Sequence, residues 1–568
     1  MRYLIAFIAI ITLYSCKPSS TKEARMLTEE EVVKIANYIM YQQSKELPID
    51  IKGNFGHMLK GLKLEDINLS KIDLSHTNLS YAQFNNVKFD EIELDNVDLS
   101  NATISNSHFF NLTMHNTLAP NASFKNNSFH NSKLGNADLS NSNFKNSNFE
   151  SVAMNNLNIK DSNFKNVVCK NVDFESISGQ NANFQNAVFD STKFTASNLY
   201  NVNLKNLSAS DVEVNEVNLE SSDLTKVIIL NSQILNSNLS NSKFSGSTIA
   251  NSKLHLVDFS LSSFDDMKIN KTIISKSHFN SNNIQFFELN NSGFHDNVLE
   301  NINFNKIHIK DSLVQDTKLQ NNSWYYLVFD NSKFHNVDFN HSKFYNTYIL
   351  NSEIDSASMQ NVEFYNGNFD NSQLDHTEII SSVLFDIRVK DCAIKNSVIN
   401  KSALVDWSMQ NVEFDDIIIK YSQLRKCLGY NVKILALDTS SNNIVFDTIG
   451  MGQIDTQNIA IKDLLNNKSL SNINFYGLDL SNLKFRDTDF ANANFSNSNL
   501  SGSEFVNVNF ENAIFNYSNL QNTQFISSVI DNGKFEFATL YNTKFHNTDV
   551  SNVDFANALV KNLEINPN

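Results

Sequence analysis

The chain has 568 residues, 41% of them hydrophobic, with a net charge of −16 and only 14 glycines and 4 prolines. That much apolar content with so little Gly and Pro excludes a disordered low-complexity chain. The acidic balance, without clustered Lys and Arg, excludes nucleic acid as an expected partner.

The first element is a processing signal. Arg2 precedes an apolar run from Tyr3 to Leu13, followed by Tyr14, Ser15 and Cys16. One positive charge, a short apolar core and a small residue before the break match a secretory signal peptide. The run is too short to span a bilayer as a helix. Leu13-Tyr14-Ser15-Cys16 resembles the lipobox of bacterial lipoproteins, although Tyr14 is bulkier than the usual residue there. The resemblance implies a lipoprotein signal peptide over residues 1–15 and a lipid on the Cys16 thiol. It also implies a membrane-anchored place in the bacterial cell envelope, periplasmic or surface-exposed. Two or three acyl chains would make that anchoring stable.

Residues 16–50 read as a tether and a capping helix. Thr28-Glu29-Glu30-Glu31 has the form of a capping box, a hydroxyl at the N-cap with a carboxylate three residues on. Val32, Ile35 and Ile39, with Val33, Ala36 and Met40, give a helical apolar stripe, and Pro48 ends it. The pattern predicts one helix over 29–45, a lid on the first coil of whatever follows.

From Leu64 the period becomes five. Leu64, Leu69, Leu74, Leu79, Phe84, Phe89, Leu94 and Leu99 open a register of apolar centres that runs unbroken to Leu424, 73 pentapeptides in all. Two residues before each centre stands a smaller residue such as Ala82, Val87, Ala102, Ser107, Ala182 or Ser242. Neither an α-helix nor a plain strand has this period. A second block, from Leu470 through Phe475, Leu480, Phe485 and Phe495 to Ile565, repeats the rule 20 times, shifted by one. Asn136-Ala137-Asp138-Leu139-Ser140 and Asn492-Ala493-Asn494-Phe495-Ser496 resemble the A(D/N)LXX unit of pentapeptide-repeat proteins. The resemblance implies an all-β solenoid, a right-handed quadrilateral β-helix preceded by one short α-helix. Each pentapeptide would be one side of a square coil, with the centre and the residue two before it pointing inward.

Composition fits this reading. Of 44 phenylalanines, 36 fall on centres and are predicted core. The residue two after the centre is commonly Asn, as at Asn96, Asn101, Asn106, Asn111 and Asn126. A coil that turns a corner every few residues needs a positive φ, which Asn tolerates better than any residue but Gly. The repeat blocks span 57–424 and 470–565. Residues 425–469 read as a degenerate interruption or bulge, in which Ile434, Ile444, Ile449, Ile454 and Ile459 keep the old register and Asp438 to Asn443 form a loop.

Chemistry is sparse. No phosphate loop, HExxH, paired CxxC or nucleophile elbow is present, so no catalytic residue, cofactor or metal is expected. Cys169, Cys392 and Cys427 fall at inward positions and read as buried thiols. His335 and His341 read as isolated, solvated surface residues. Spacing of twenty brings Asp355 to Asp375 and Asp386 to Asp406, pairs that could hold a divalent cation, but calcium-repeat glycines are missing. The outstanding surface feature is Tyr325, Tyr345, Tyr365 and Phe385, each one past a centre and twenty apart, with Val405 next and Tyr326 and Tyr348 nearby. They predict an aromatic stripe on one outer face, either a stabilising ladder or a contact surface for a protein or glycan. Tyr517 and Phe537 are a fainter echo. The reading is a non-enzymatic envelope lipoprotein, a rigid scaffold, spacer or binding surface, with end-to-end self-association as a further expectation. The alternative, an acidic DNA mimic that binds gyrase, as in some cytosolic pentapeptide-repeat proteins, conflicts with the export signal.

Overall fold

The computed structural model describes residues 25–566 apart from 421, 426–427, 435–436, 439–444, 448–449, 456–469, 472–474 and 478–479. The expectations for the signal peptide, Cys16 and Cys427 lie outside the described residues. The chain forms two compact units, one up to Asn203 and one from Leu204 on.

Unit one opens with α1, Glu29–Ser44, one residue shorter than the sequence predicts. Its capping box is complete: Thr28 Oγ1 accepts from the Glu31 amide, and the Glu31 carboxylate accepts from the Thr28 amide. The buried stripe is narrower than expected. Ile35 and Ile39 are buried, whereas Val33 and Met40 are exposed, because α1 covers the coil with one edge only. A second helix that periodicity did not predict, α2 (Ile51–Phe55), follows Pro48 and buries Ile51. Asp50 caps it, its Oδ1 accepting from the Gly53 amide at 2.7 Å. Lys52 of α2 bonds the Asp73 carboxylate and Ser75 on the first coil. Partial burial pushes Asp73 up, but its hydrogen bonds from Lys52 and Ser75 outweigh this and hold it at about 2.

From Lys63 the backbone pairs in parallel with the chain twenty residues on: Leu64 opposite Phe84, and Phe89 opposite Phe109 opposite Phe129. Each run of twenty is one turn of a parallel β-solenoid. The centres and the residues two before them are buried, as the five-residue pattern predicts. Their rings stack from coil to coil: Phe89 on Phe109 at 4.6 Å, Phe109 on Phe129 at 4.6 Å, and Phe124, Phe144, Phe164 and Phe184 at 4.7–4.9 Å. Burial of such rings is the main favourable term of the fold. Buried Ser and Thr at the smaller inward positions are mostly paired, as burial requires, with Thr347 Oγ1 an exception. Ser142 Oγ donates to the Ala119 carbonyl at 2.6 Å, and Ser147 Oγ to that of Phe124 at 2.7 Å.

The corners carry positive φ as the Asn spacing predicts: 53° at Asn106, 58° at Asn126, 62° at Asn146 and 60° at Asn166. Asn has a second role that the backbone argument missed. The amides form a ladder, each Nδ2 donating to the Oδ1 twenty residues earlier, through Asn106, Asn126, Asn146, Asn166 and Asn186 at 2.9–3.2 Å.

Unit two keeps the same register, with Trp324 opposite Phe344, Phe344 opposite Phe364 and Phe364 opposite Leu384. In several coils one strand runs unbroken around a corner, as in Ser323–Asp330, Lys343–Leu350, Glu363–Asp370 and Val383–Lys390. The register changes beyond Leu424. Gln423–Arg425 pairs with Val445–Asp447, so this coil has 22 residues and Phe446, not Ile444, lies opposite Leu424. Likewise Ile454 lies opposite Val432 rather than continuing the old column of centres. The expected loop from Asp438 to Asn443 lies, beyond Asp438 itself, outside the described residues. In the second block, Phe485, Phe505, Phe525 and Phe545 stack at 4.9–5.1 Å. In the last described coil the centres Val560 and Ile565 are exposed, since no further described coil covers them.

Candidate functional site

The square coil converts a spacing of twenty into a straight outer column. The strands Ser323–Asp330, Lys343–Leu350, Glu363–Asp370 and Val383–Lys390 stack so that Tyr325, Tyr345, Tyr365 and Phe385 face one another in turn, with Val405 next. The predicted stripe therefore exists. Tyr325 stacks on Tyr345 at 4.9 Å with planes 6° apart, and Tyr345 on Tyr365 at 5.3 Å and 9°. Phe385 breaks the stack: it lies 6.3 Å from Tyr365 and is tilted by 51°. Tyr325 is 42% and Phe385 39% exposed, and the two rings between them are half-buried.

This geometry limits what the stripe can meet. Tyr345 spends both ring faces, and Tyr325 and Tyr365 one each, on stacked neighbours, so a ligand running along the column meets mostly ring edges and phenol oxygens. Phe385, tilted out of the stack, ends the row of parallel rings, and Tyr325 at the other end has Asn305 rather than a ring on its far side. Beside the rings, on the same strands, Lys343 Nζ and the Glu363 carboxylate pair at 3.0 Å. The hydrogen bond and charge of Glu363 raise Lys343 above its ordinary value. Burial between its neighbours raises the Tyr345 phenol, which therefore stays protonated and can donate as well as accept. Tyr326 stands on the corner beside the stripe with φ 58°, and is exposed. Tyr348 is also exposed but lies in another column, opposite Val328 and Asn368 around the corner, so it is not part of the stripe. Tyr517 and Phe537 stack at 4.9 Å, but as corner residues with φ 60° and 57°.

The other singled-out residues fare differently. Cys169 and Cys392 are buried, free thiols, and burial pushes both above the usual thiol value. His341 is not isolated: its Nε2 lies 3.2 Å from the Asn361 side-chain amide. Nor is His335, whose Nδ1 lies 2.8 Å from Asp355 Oδ2. Column neighbours explain both corrections, since any outward side chain meets the ones twenty before and after it. Asp355 and Asp375 do face each other. Asp386 and Asp406 are corner residues with φ 54° and 55°. One outward cluster escaped sequence reasoning. Phe110 stacks on His130 at 5.1 Å, Lys88 Nζ stands 5.5 Å over the Phe110 ring, and His130 reaches Glu150 at 3.2 Å. The same twenty-residue spacing would have revealed it.

Comparison with known proteins bears on the repeat. A family model for pentapeptide repeats matches in eight copies, within residues 59–90, 67–106, 107–146, 128–166, 168–206, 493–532 and 518–557. The chain carries pentapeptide repeats. The twenty-residue pairing continues through unmatched pentapeptides such as Ser323–Asp330. No curated protein matches the sequence. Among solved structures, the chain is similar to HetL, a pentapeptide repeat protein involved in heterocyst differentiation regulation from the cyanobacterium Nostoc sp. strain PCC 7120. The identity is 12% over 36% of this chain and 87% of that one, with a TM-score of 0.19. Full-length QnrB1, a plasmid-mediated fluoroquinolone resistance protein, is 15% identical over 36% of this chain and 93% of that one, with a TM-score of 0.13. The alginate lyase AlyGC of the PL6 family is 9% identical over 89% of this chain and all of that one, with a TM-score of 0.17. Similarities at this level bear on neither substrate nor partner.

Proposed function

We propose that this pentapeptide-repeat protein is a non-enzymatic scaffold, tethered to the cell envelope through lipid on Cys16, that binds a protein partner along its aromatic stripe. The observation that carries the binding reading is the outward column of Tyr325, Tyr345, Tyr365 and Phe385, stacked and still partly exposed. Contiguous exposed aromatic surface is typical of interaction sites. Tyr suits such a surface because it buries a large area while its hydroxyl keeps a hydrogen bond. Between the two partner classes expected from sequence, the stacked rings favour protein. A sugar ring seeks an aromatic face, and both faces of Tyr345 and one face each of Tyr325 and Tyr365 are taken up by stacked neighbours. A protein surface can pack on ring edges and hydrogen-bond the row of phenols. The tether rests on Leu13-Tyr14-Ser15-Cys16 alone.

The test compares three forms expressed in the native envelope: wild type, Tyr345→Thr with Tyr365→Thr, and Cys16→Ser. The double variant should fold with stability lowered by only about 0.2–1 kcal/mol per lost ring pair, yet lose a partner or a self-association in pull-down and sedimentation. Cys16→Ser should lose acyl labelling and membrane retention. A double variant that keeps every association reduces the stripe to a stabilising ladder. Retained labelling in Cys16→Ser removes the tether.

A further inference from the structure

Asp355 and Asp375 end neighbouring parallel strands, Glu353–Asp355 and Gln373–Asp375, and stand opposite each other in register. Elsewhere the outward columns place a carboxylate opposite a lysine: Lys333 with Glu353 at 2.9 Å, Lys343 with Glu363 at 3.0 Å, Lys484 with Glu504 and Lys544 with Glu564 at 3.1 Å. Two carboxylates directly opposite repel unless something between them is positive. What lies between them is an imidazole. His376 occupies the next corner with φ 46°, which turns it back over the pair. Its Nδ1 is 3.1 Å from Asp375 Oδ1 and 3.3 Å from Asp355 Oδ1. One donor atom from each of the three residues lies within 4.8 Å of the others.

The two imidazole–carboxylate separations are those of neighbouring ligands around one metal ion. Bonds of about 2.0–2.2 Å to nitrogen and oxygen place neighbouring ligand atoms roughly 3.0–3.5 Å apart in octahedral or tetrahedral geometry. The carboxylates also have further hydrogen-bond partners that fix their orientation, as the ligands of real sites do. Asp355 Oδ2 meets His335 Nδ1 at 2.8 Å, and its Oδ1 accepts from Ser356 Oγ at 3.1 Å. Asp375 Oδ1 accepts from Asn396 Nδ2 at 2.8 Å, and its Oδ2 from Gln373 Nε2 at 3.3 Å. The β-ladder fixes the carboxylate spacing through the backbone. The Asp side chains are 26% and 21% exposed and that of His376 60%, so an ion and its waters have access.

We propose that Asp355, Asp375 and His376 bind one divalent transition-metal ion of the zinc class, with water completing the coordination and His335 as a positioning residue behind Asp355. One imidazole nitrogen with two carboxylates suits such an ion better than calcium or magnesium, which prefer all-oxygen sets. Bound there, the ion joins two successive coils through side chains, and it stabilises the folded chain by mass action.

The experiment uses the full chain, stripped with chelator, titrated with Zn²⁺ by calorimetry and with Co²⁺ by absorption. The expected result is one ion per chain and a Co²⁺ spectrum without thiolate charge-transfer bands. His376→Gln and Asp375→Asn should each weaken binding at least tenfold, and His335→Ala about tenfold, as outer-shell changes do. Asp386→Asn, outside the cluster, should bind like wild type. Folding is read from melting in chelator, and Asp355→Asn serves as a further ligand variant should either of the first two fail to fold. Absence of stoichiometric binding, or equal binding by wild type, His376→Gln and Asp375→Asn, or thiolate bands in the Co²⁺ spectrum, would overturn the proposal and leave His376 a simple bridge between two carboxylates.

Discussion

Residues 106–186 in unit one and residues 323–390 in unit two follow one backbone rule and dress it differently. Both pair at twenty, bury rings at the centres and turn corners through positive φ; Tyr326, at 58°, has the same corner backbone as Asn126. In the first region the corners hold a continuous amide ladder. In the second, the outward columns hold a tyrosine stack, lysine–glutamate pairs and the Asp355–Asp375 pair, which the corner residue His376 joins. The inward positions and the corner backbone answer to the coil. The outward columns and corner side chains are free to differ, and the candidate sites lie where the two regions differ most.

If that division is right, the largest effects should be the same in both regions. Phe144→Ala and Phe339→Ala each remove a fully buried ring, and each should cost about 3–5 kcal/mol in denaturant unfolding. A cost at one site several-fold below the other would break the shared-core rule. Corner changes come next and should have opposite signs. Asn146→Ala loses αL tolerance and two ladder bonds, for a cost of about 1–2 kcal/mol. Tyr326→Asn relieves a bulky residue of its positive φ and should gain about 0.5–1 kcal/mol. Equal and same-signed shifts in thermal melting would mean that the corner backbone does not govern the choice of residue.

The smallest effect concerns charge. Lys343 is raised by its pairing with Glu363. Its contribution is therefore complete below the unfolded value of about 10.4, and is lost as pH rises through the folded value. Added salt should weaken it as well. Melting of wild type against Lys343→Met should converge above that pH, while the Asn146→Ala difference should not change with salt. Convergence at neutral pH would remove the pair from the account.

The repeat made most of the fold legible. Apolar centres from Leu64 to Leu424 gave register, inward faces and coil size, and phased Asn gave the corners. Helix α2 was missed because five residues, Ile51–Phe55, are too few to show a helical period. The interruption after Leu424 was expected, but Ile454 was misplaced because it keeps the five-residue spacing in sequence while the backbone absorbs two extra residues and sets it opposite Val432 and Phe446 opposite Leu424. The stripe was legible because its residues sit one past the centre, on flat strand. Stacking twenty apart also gave the Asp355–Asp375 pair. It could not give His376, a corner residue reaching back across a coil, twenty-one positions from Asp355. Nor could it show that ring planes lie face to face, which decides what kind of partner the stripe suits.

The central claim is that outward columns, not the coil itself, make contact with a partner. Site-specific photocrosslinking in the native envelope tests this most directly. A benzophenone side chain placed at Tyr345 should give a discrete adduct, and the same group at the exposed, ladder-bearing Asn146 should give none. Adducts of equal yield from both positions, or no adduct from Tyr345, would contradict the account.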